Sequence, residues 1–172
     1  MKCSDAGLAV IKRFEGRRLK PYKCPAGLWT VGYGHVLYPE QAKMKLADRA
    51  SVPLRIEDFR EFTTAEVDNL LAQDVVRFER GVARLCPALD NRQGSFDALV
   101  SFAFNVGLGA LQRSGLRAKT NRGEYNDAAD ELLKWSKVNG KVLPGLLLRR
   151  KAERALYMSS NQPSNGDEDA SP

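Results

Sequence analysis

Near the N-terminus Leu8, Ile11 and Phe14 recur at a spacing of three, the buried stripe of a short helix. Ser4 is placed to cap it, Asp5 suits its positive end, and Gly16 is a natural stop. The pattern then changes. Over residues 17–38, Leu28, Trp29, Val31, Tyr33 and Val36 supply strand formers. Pro21, Gly27, Gly32 and Gly34 divide them into two or three short antiparallel strands. Pro39 opens an ambiguous stretch, read as a helix through Leu46, and Val52-Pro53 breaks it. Thr63-x-x-Glu66 is a capping box. Behind it Val67, Leu70, Leu71, Val75, Phe78, Val82 and Leu85 keep helical spacing up to Cys86-Pro87. Asp74 intrudes on that stripe, and a buried carboxylate needs a partner.

The remainder reads as helical almost throughout. Phe96, Leu99, Val100, Ala103 and Phe104 form one apolar face, ended by a tight turn at Gly107 and Gly109. Ala128, Ala129, Leu132, Leu133 and Trp135 predict a packed helix over Asp127–Val138. Pro144 stands near the start of a final helix. There Leu146, Leu147, Ala155 and Leu156 oppose Arg149, Arg150, Lys151 and Arg154, so the basic face is expected outside, in solvent or against a membrane surface. The last dozen residues are polar or acidic and are expected to be disordered.

Composition narrows the classes. A chain of 172 residues, 43% hydrophobic, suits one domain or two lobes sharing a helix. No run approaches the roughly 18 apolar residues of a membrane span, and the first residues do not read as a secretory signal. The formal charge is +6 although the tail holds Asp167, Glu168 and Asp169 without a basic residue, so the body is more positive still. Such a body is drawn to polyanions: nucleic acid, anionic lipid or bacterial wall polymers. No basic run interleaved with aromatics marks a nucleic-acid module. Neither a P-loop, a dinucleotide fingerprint nor a zinc spacing is present, so no metal or cofactor is expected. Cys3, Cys24 and Cys86 cannot all pair, and scattered thiols are the plainer reading than a disulfide.

The chemistry concentrates in FEGRRLKPYKCPAGLWTVGYGH, residues 14–35. Glu15 closes the first helix, Cys24 follows after eight residues, Thr30 after five more, and His35, the single histidine, ends the run. Together with FNVGLGAL at 104–111 and GLLLRR at 145–150, this resembles the phage endolysins of lysozyme-like muramidase type, glycoside hydrolase family 24. The resemblance covers roughly residues 4–158, and Cys24 stands where many members carry Asp.

The resemblance implies an α+β, lysozyme-like, two-lobed fold. A small sheet lobe of about 15–62 is joined by a helix of about 63–86 to a helical lobe of about 87–158 that includes the N-terminal helix, all within a single domain, 1–160. It implies hydrolysis, with inversion, of the β-1,4 bond between N-acetylmuramic acid and N-acetylglucosamine of peptidoglycan. Glu15 is then the general acid, Cys24 the base and Thr30 the residue that positions water. Lys20 and Lys23 lie close enough in sequence to favour a thiolate at Cys24. Phe104, Asn105 and Ser114 become substrate contacts, His35–Asp74 a structural salt bridge, and Arg149 the partner of Glu15. Trp29 and Tyr33 are either core or faces for sugar rings. A monomer is expected, made in the host cytoplasm and acting on the periplasmic wall after another protein permeabilises the membrane. Lytic transglycosylase chemistry at the same bond and non-enzymatic permeabilisation are the rival readings.

Overall fold

The computed structural model describes residues 1–160; the stretch read as a disordered tail lies outside the described residues. The chain divides into two compact units, Lys12–Arg77 and a second made of Met1–Ile11 with the residues from Phe78 onward.

Helix α1, Asp5–Glu15, begins after Ser4, whose carbonyl accepts from the Leu8 amide at 2.9 Å. The Ser4 hydroxyl donates to Asp97, a tie to a residue far along the chain. In the first unit strands β1 (Arg18–Lys23), β2 (Trp29–Gly32) and β3 (His35–Val36) form an antiparallel meander in that order. The registers are Tyr22 opposite Thr30 and Val31 opposite His35, with an irregularity between Arg18 and Tyr22. The middle strand is buried from Thr30 to Gly32.

The helix expected from Pro39 is instead a 3-10 turn, Pro39–Lys43, because Met44 is extended (φ −79°, ψ 155°). The Gln41 side chain, buried in that turn, accepts from the Trp29 amide at 3.2 Å and holds the turn against β2. A one-turn α2, Leu46–Arg49, and a second 3-10 turn, Ile56–Asp58, complete the connection. Tyr38, donating to Asp58 at 2.6 Å, closes it.

Helix α3, Thr64–Leu85, opens on the expected capping box. The Thr63 amide donates to Glu66 at 2.7 Å and the Glu66 amide to the Thr63 hydroxyl at 3.2 Å. Val67, Leu71 and Val75 are the buried face of its first part. Removing each such side chain from water contributes about 1.5–3 kcal/mol.

The second unit is built on α4, Gln93–Val106, buried without interruption from Ser95 to Ala103. Apart from Ser95, Asp97 and Ser101 these buried residues are apolar, and a helix buried on all sides belongs at a centre. Gly107 ends it, as expected, but Gly109 lies inside the next short helix, α5 (Leu108–Gln112). Then come α6 (Gly115–Asn121) and α7 (Tyr125–Leu133). The helix expected to reach Val138 stops at Leu133 and gives way to a 3-10 turn. Strands β4 (Lys137–Val138) and β5 (Lys141–Val142) follow, joined through Asn139 and Gly140, both with positive φ. Asn-Gly is the preferred pair for a two-residue hairpin, so the local turn overrides the helical period.

Helix α8, Pro144–Ser159, packs on α4 and α7. Its polarity is the reverse of the expected one: Arg149, Arg150, Glu153 and Tyr157 are buried, and Leu148 is 56% exposed. The reading of a basic surface face fails because Glu153 lies three and four residues beyond the two arginines and neutralises them inside. Lys151 remains exposed, and Arg154 pairs with Asp130 at 2.7 Å. Among the described residues no helix is long and apolar enough to cross a membrane.

Candidate active site

Glu15 is the last residue of α1 and is half-buried. The Gly16 amide donates to the Lys12 carbonyl at 3.3 Å, which closes the helix and releases the chain into β1. Lys12 pairs with Asp68 of α3 at 2.9 Å, and its ammonium lies 5.8 Å from the centre of the Tyr33 ring. The helix end that carries Glu15 is thus tied to α3 and to the sheet.

Cys24 sits at the turn between β1 and β2. Its amide donates to the Leu28 carbonyl at 3.0 Å and the Gly27 amide to the Cys24 carbonyl at 2.8 Å. Thr30, in the middle strand, is 2% exposed, and its hydroxyl lies 3.0 Å from the Leu28 carbonyl. Burial pushes the Cys24 thiol up, but hydrogen bonds from the Leu28 backbone, the Thr30 hydroxyl and the Ala26 backbone outweigh it. The net direction is downward from the ordinary thiol value. Thr30 has one proton and two acceptors, the Leu28 carbonyl and the Cys24 sulfur; the charged thiolate is the stronger acceptor. In the structure that proton goes to the Leu28 carbonyl, and Thr30 stands near enough to Cys24 for its hydroxyl to favour a thiolate.

The lysines expected to favour the thiolate are engaged elsewhere. Lys23 donates to the Arg49 carbonyl at 3.0 Å and lies over the Trp29 ring, and Lys20 stands 3.9 Å from Glu61. Trp29 is held structurally, its indole N–H donating to the Val52 carbonyl at 3.0 Å. Tyr33 belongs to the core at 7% exposure.

His35 and Asp74 form the expected contact, with Nδ1 at 3.0 and 3.1 Å from the two carboxylate oxygens. The pair is not buried, the side chains being 24% and 31% exposed, so Asp74 lies at the margin of its apolar stripe. It ties β3 to α3.

The other expected site residues lie in the second unit. Phe104 packs its ring against Phe78, with centroids 5.1 Å apart. Asn105 is exposed on the last turn of α4 and accepts from Arg150 at 2.8 Å. Ser114 is buried as the N-cap of α6; its hydroxyl accepts from the Arg117 amide at 3.1 Å and donates to the Leu111 carbonyl at 2.7 Å. Arg149 is 3% exposed, donating to Glu153 at 3.1 Å and to the Ser101 carbonyl at 3.3 Å.

Sequence reasoning missed Arg150 and Glu153 as a unit. Glu153 is fully buried and receives Arg149, Arg150 and, at 2.8 Å, the Ser101 hydroxyl. Burial pushes its carboxyl up, and the two guanidiniums pull against that. The signal was legible: a lone acid at one-turn spacing from two adjacent arginines. Cys3, Cys24 and Cys86 are unbridged. Among the described residues no three His, Cys, Asp or Glu side chains gather as metal ligands.

Comparison with known proteins follows this geometry. The phage lysozyme family model matches residues 12–153. The chain is 40% identical over 164 residues to an endolysin of Acyrthosiphon pisum secondary endosymbiont phage 1, covering 93% of this chain and 100% of that one. It is 38% identical to an endolysin of Bacillus phage B103, covering the whole of this chain but only 60% of that relative's length. The muramidase domain of SpmX from Asticaccaulis excentricus superposes with a TM-score of 0.74 at 32% identity, covering 91% of this chain and 97% of that domain. These α+β neighbours share the fold described above, and with the match of the family model across most of its length the chain belongs to the phage lysozyme family.

Proposed function

We propose that this protein is an endolysin that hydrolyses the β-1,4 bond between N-acetylmuramic acid and N-acetylglucosamine in bacterial peptidoglycan. The observation that carries the reading is local. In a chain of the phage lysozyme family, an acid closes α1, and on the adjoining hairpin stands a thiol whose pKa is lowered, with a buried threonine hydroxyl nearby. Cleavage needs a proton for the leaving oxygen and a base for water. Glu15 supplies the proton. Cys24, as thiolate, takes one from the attacking water. Thr30 donates to the sulfur, and its oxygen lone pairs remain free to accept from that water. His35 and Asp74 brace the hairpin against α3. Phe104, Asn105 and Ser114 serve as glycan contacts and Arg149 as electrostatic support, roles suggested by the family pattern. The enzyme works as a monomer on the wall of the host after the membrane has been breached by another agent.

The test is mass analysis of purified peptidoglycan after digestion. Reducing muropeptides, one water heavier than the corresponding 1,6-anhydro products, are expected; the 1,6-anhydro products themselves would replace hydrolysis with lytic transglycosylation. Glu15→Gln keeps the shape and removes the transferable proton, so turnover is expected to fall about 10²–10⁴-fold. A folded Glu15→Gln variant working at the wild-type rate would remove Glu15 from the mechanism.

A further inference from the structure

Between Glu131 and Glu153 the chain carries six basic residues and no acidic one. Three of the six are matched: Arg149 and Arg150 by Glu153, and Lys134 by Glu131 at 2.6 Å. Lys137, Lys141 and Lys151 are exposed, and among the described residues no carboxylate lies within ion-pair distance of them. Lys137 and Lys141 stand on the β4–β5 hairpin, where every residue from 137 to 145 is exposed.

The same hairpin concentrates apolar exposure. Val138 and Val142 are each 48% exposed and Leu143 is 42% exposed, all within six residues. The Asn139-Gly140 turn sets Lys137 opposite Val142 and Val138 opposite Lys141, and the Leu143 amide closes the base on the Ser136 carbonyl at 2.9 Å. Cross-strand partners share a face of a ribbon, so each face carries one valine and one lysine. A lysine stem can lie along an apolar neighbour while its ammonium reaches a polar layer beyond.

Lysine on a bare edge discourages pairing with other strands, but that purpose needs no apolar neighbours. A second copy of the chain would set lysines against lysines. A hydrophilic polyanion would satisfy the lysines and offer the valines and Leu143 no apolar phase. An anionic lipid surface satisfies both, with the apolar side chains at the headgroup boundary and the ammoniums at the phosphates. Ile56 and Phe59 are more exposed, at 92% and 80%, but Glu57, Asp58 and Glu61 stand among them, and an anionic surface repels those.

We infer that the β4–β5 hairpin with Leu143 is a docking surface for a bilayer bearing anionic phospholipid. The contact is peripheral and spans nothing. It goes beyond the glycan-cleaving function and does not depend on it.

The experiment is co-sedimentation of the full chain with vesicles of phosphatidylcholine alone and of phosphatidylcholine mixed with phosphatidylglycerol. Binding is expected to the mixed vesicles only, and to weaken with salt. Lys137→Gln and Lys141→Gln should each lower the partition coefficient about fivefold. Lys43→Gln with Lys45→Gln removes the same charge from exposed positions in the first unit and should lower it less than about twofold. Val138→Ser and Val142→Ser keep the charge and should each cost about fivefold. Circular dichroism melts check that these surface changes leave the fold intact. Val138→Trp adds apolar area at the same place, so it should bind more tightly and its fluorescence should shift to the blue on mixed vesicles; that variant decides the matter where a serine change disturbs the hairpin. Equal binding to both vesicles, or binding to neither, would overturn the inference. So would an equal loss from the Lys43 and Lys45 pair, which would make the attraction one of net charge alone. Binding untouched by both serine changes and by Val138→Trp would assign the lysines to a hydrophilic polyanion and overturn it too.

Discussion

Two glycines flank Tyr33, and replacing each by alanine separates backbone strain from packing. Gly32 and Gly34 both have positive φ, +66° and +99°. A Cβ on Gly34 meets nothing within 4 Å, whereas one on Gly32 would stand 2.9 Å from Val67 Cβ and 3.2 Å from Val67 Cγ1. Alanine in left-handed backbone costs about 1–2 kcal/mol. The reduced freedom of the unfolded chain offsets about 0.4–1 kcal/mol of that. Gly34→Ala should therefore destabilise by about 1 kcal/mol. Gly32→Ala adds the overpacking of a fully buried, branched valine on the first turn of α3, worth about 1–3 kcal/mol. At about 2–4 °C per kcal/mol for a chain of this size, thermal melts followed by circular dichroism should drop by about 3 °C for Gly34→Ala and by about 10 °C for Gly32→Ala. Val67→Ala in the Gly32→Ala background keeps the Cβ but removes Cγ1 and so eases part of the contact, and the double variant should lose less than the sum of the two single changes. Equal effects at the two glycines, or strict additivity with Val67→Ala, would refute the claim that Gly32 is required by the approach of α3 to β2.

Cys24→Ser should lower peptidoglycan turnover about 10²–10⁴-fold, the range of a lost general base. The folded thiol ionises below its ordinary value, so activity should rise with pH through a limb lying under the usual thiol range. In rate-against-pH profiles Thr30→Val should move that limb upward, and Cys24→Asp should keep activity and move it down toward about pH 4; a profile unaffected by all three changes would make Cys24 mere packing. Asp74→Asn removes the carboxylate of a partly exposed His35 contact and should cost about 1 kcal/mol or less, read as a melting shift of a few degrees with kcat unchanged. Glu153→Gln leaves two buried guanidiniums without their counter-charge and should cost about 3–5 kcal/mol in a denaturant titration; a change under 1 kcal/mol would contradict the network.

The parts of the fold readable in sequence were those where local and tertiary preferences agree. The Thr63–Glu66 box opens α3 because capping is a contact within four residues. The glycines and strand formers of residues 17–38 mark a meander because its pairings are between neighbours in the chain. Where a distant group competes, local reading fails. Pro39 can open a helix, but the Trp29 amide takes the Gln41 side chain and the turn ends at Met44. At Asn139-Gly140 the local signal was present and was outweighed in reading by the apolar spacing of Leu132, Leu133 and Trp135, although turn chemistry at two residues decides the backbone more strictly than periodicity does.

The site divides along the same line. Thr30 pairs with Tyr22 and the Cys24 amide with Leu28, so Cys24 and Thr30 are diagonal neighbours on one hairpin, and their spacing in sequence nearly dictates their proximity. What no spacing could disclose is why the thiol is biased toward its ionised form: not the neighbouring lysines, which are used by the Arg49 carbonyl and by Glu61, but amide and hydroxyl donors exposed by the turn itself. In α8 the error ran the other way. Counting arginines as polar put them on the outside, yet a guanidinium is weakly hydrated and can be buried when its planar donors are matched. Glu153, Asn105 and the face of Phe102 supply that match for Arg150. The basic residues of GLLLRR are therefore internal parts of the protein, and the charge left to meet an anionic surface from this helix reduces to Lys151 and the half-exposed Arg154. Any attraction of the protein to the acidic wall must be sought in the other exposed lysines and arginines, and a salt-dependent association that survives Lys151→Ala would locate it there.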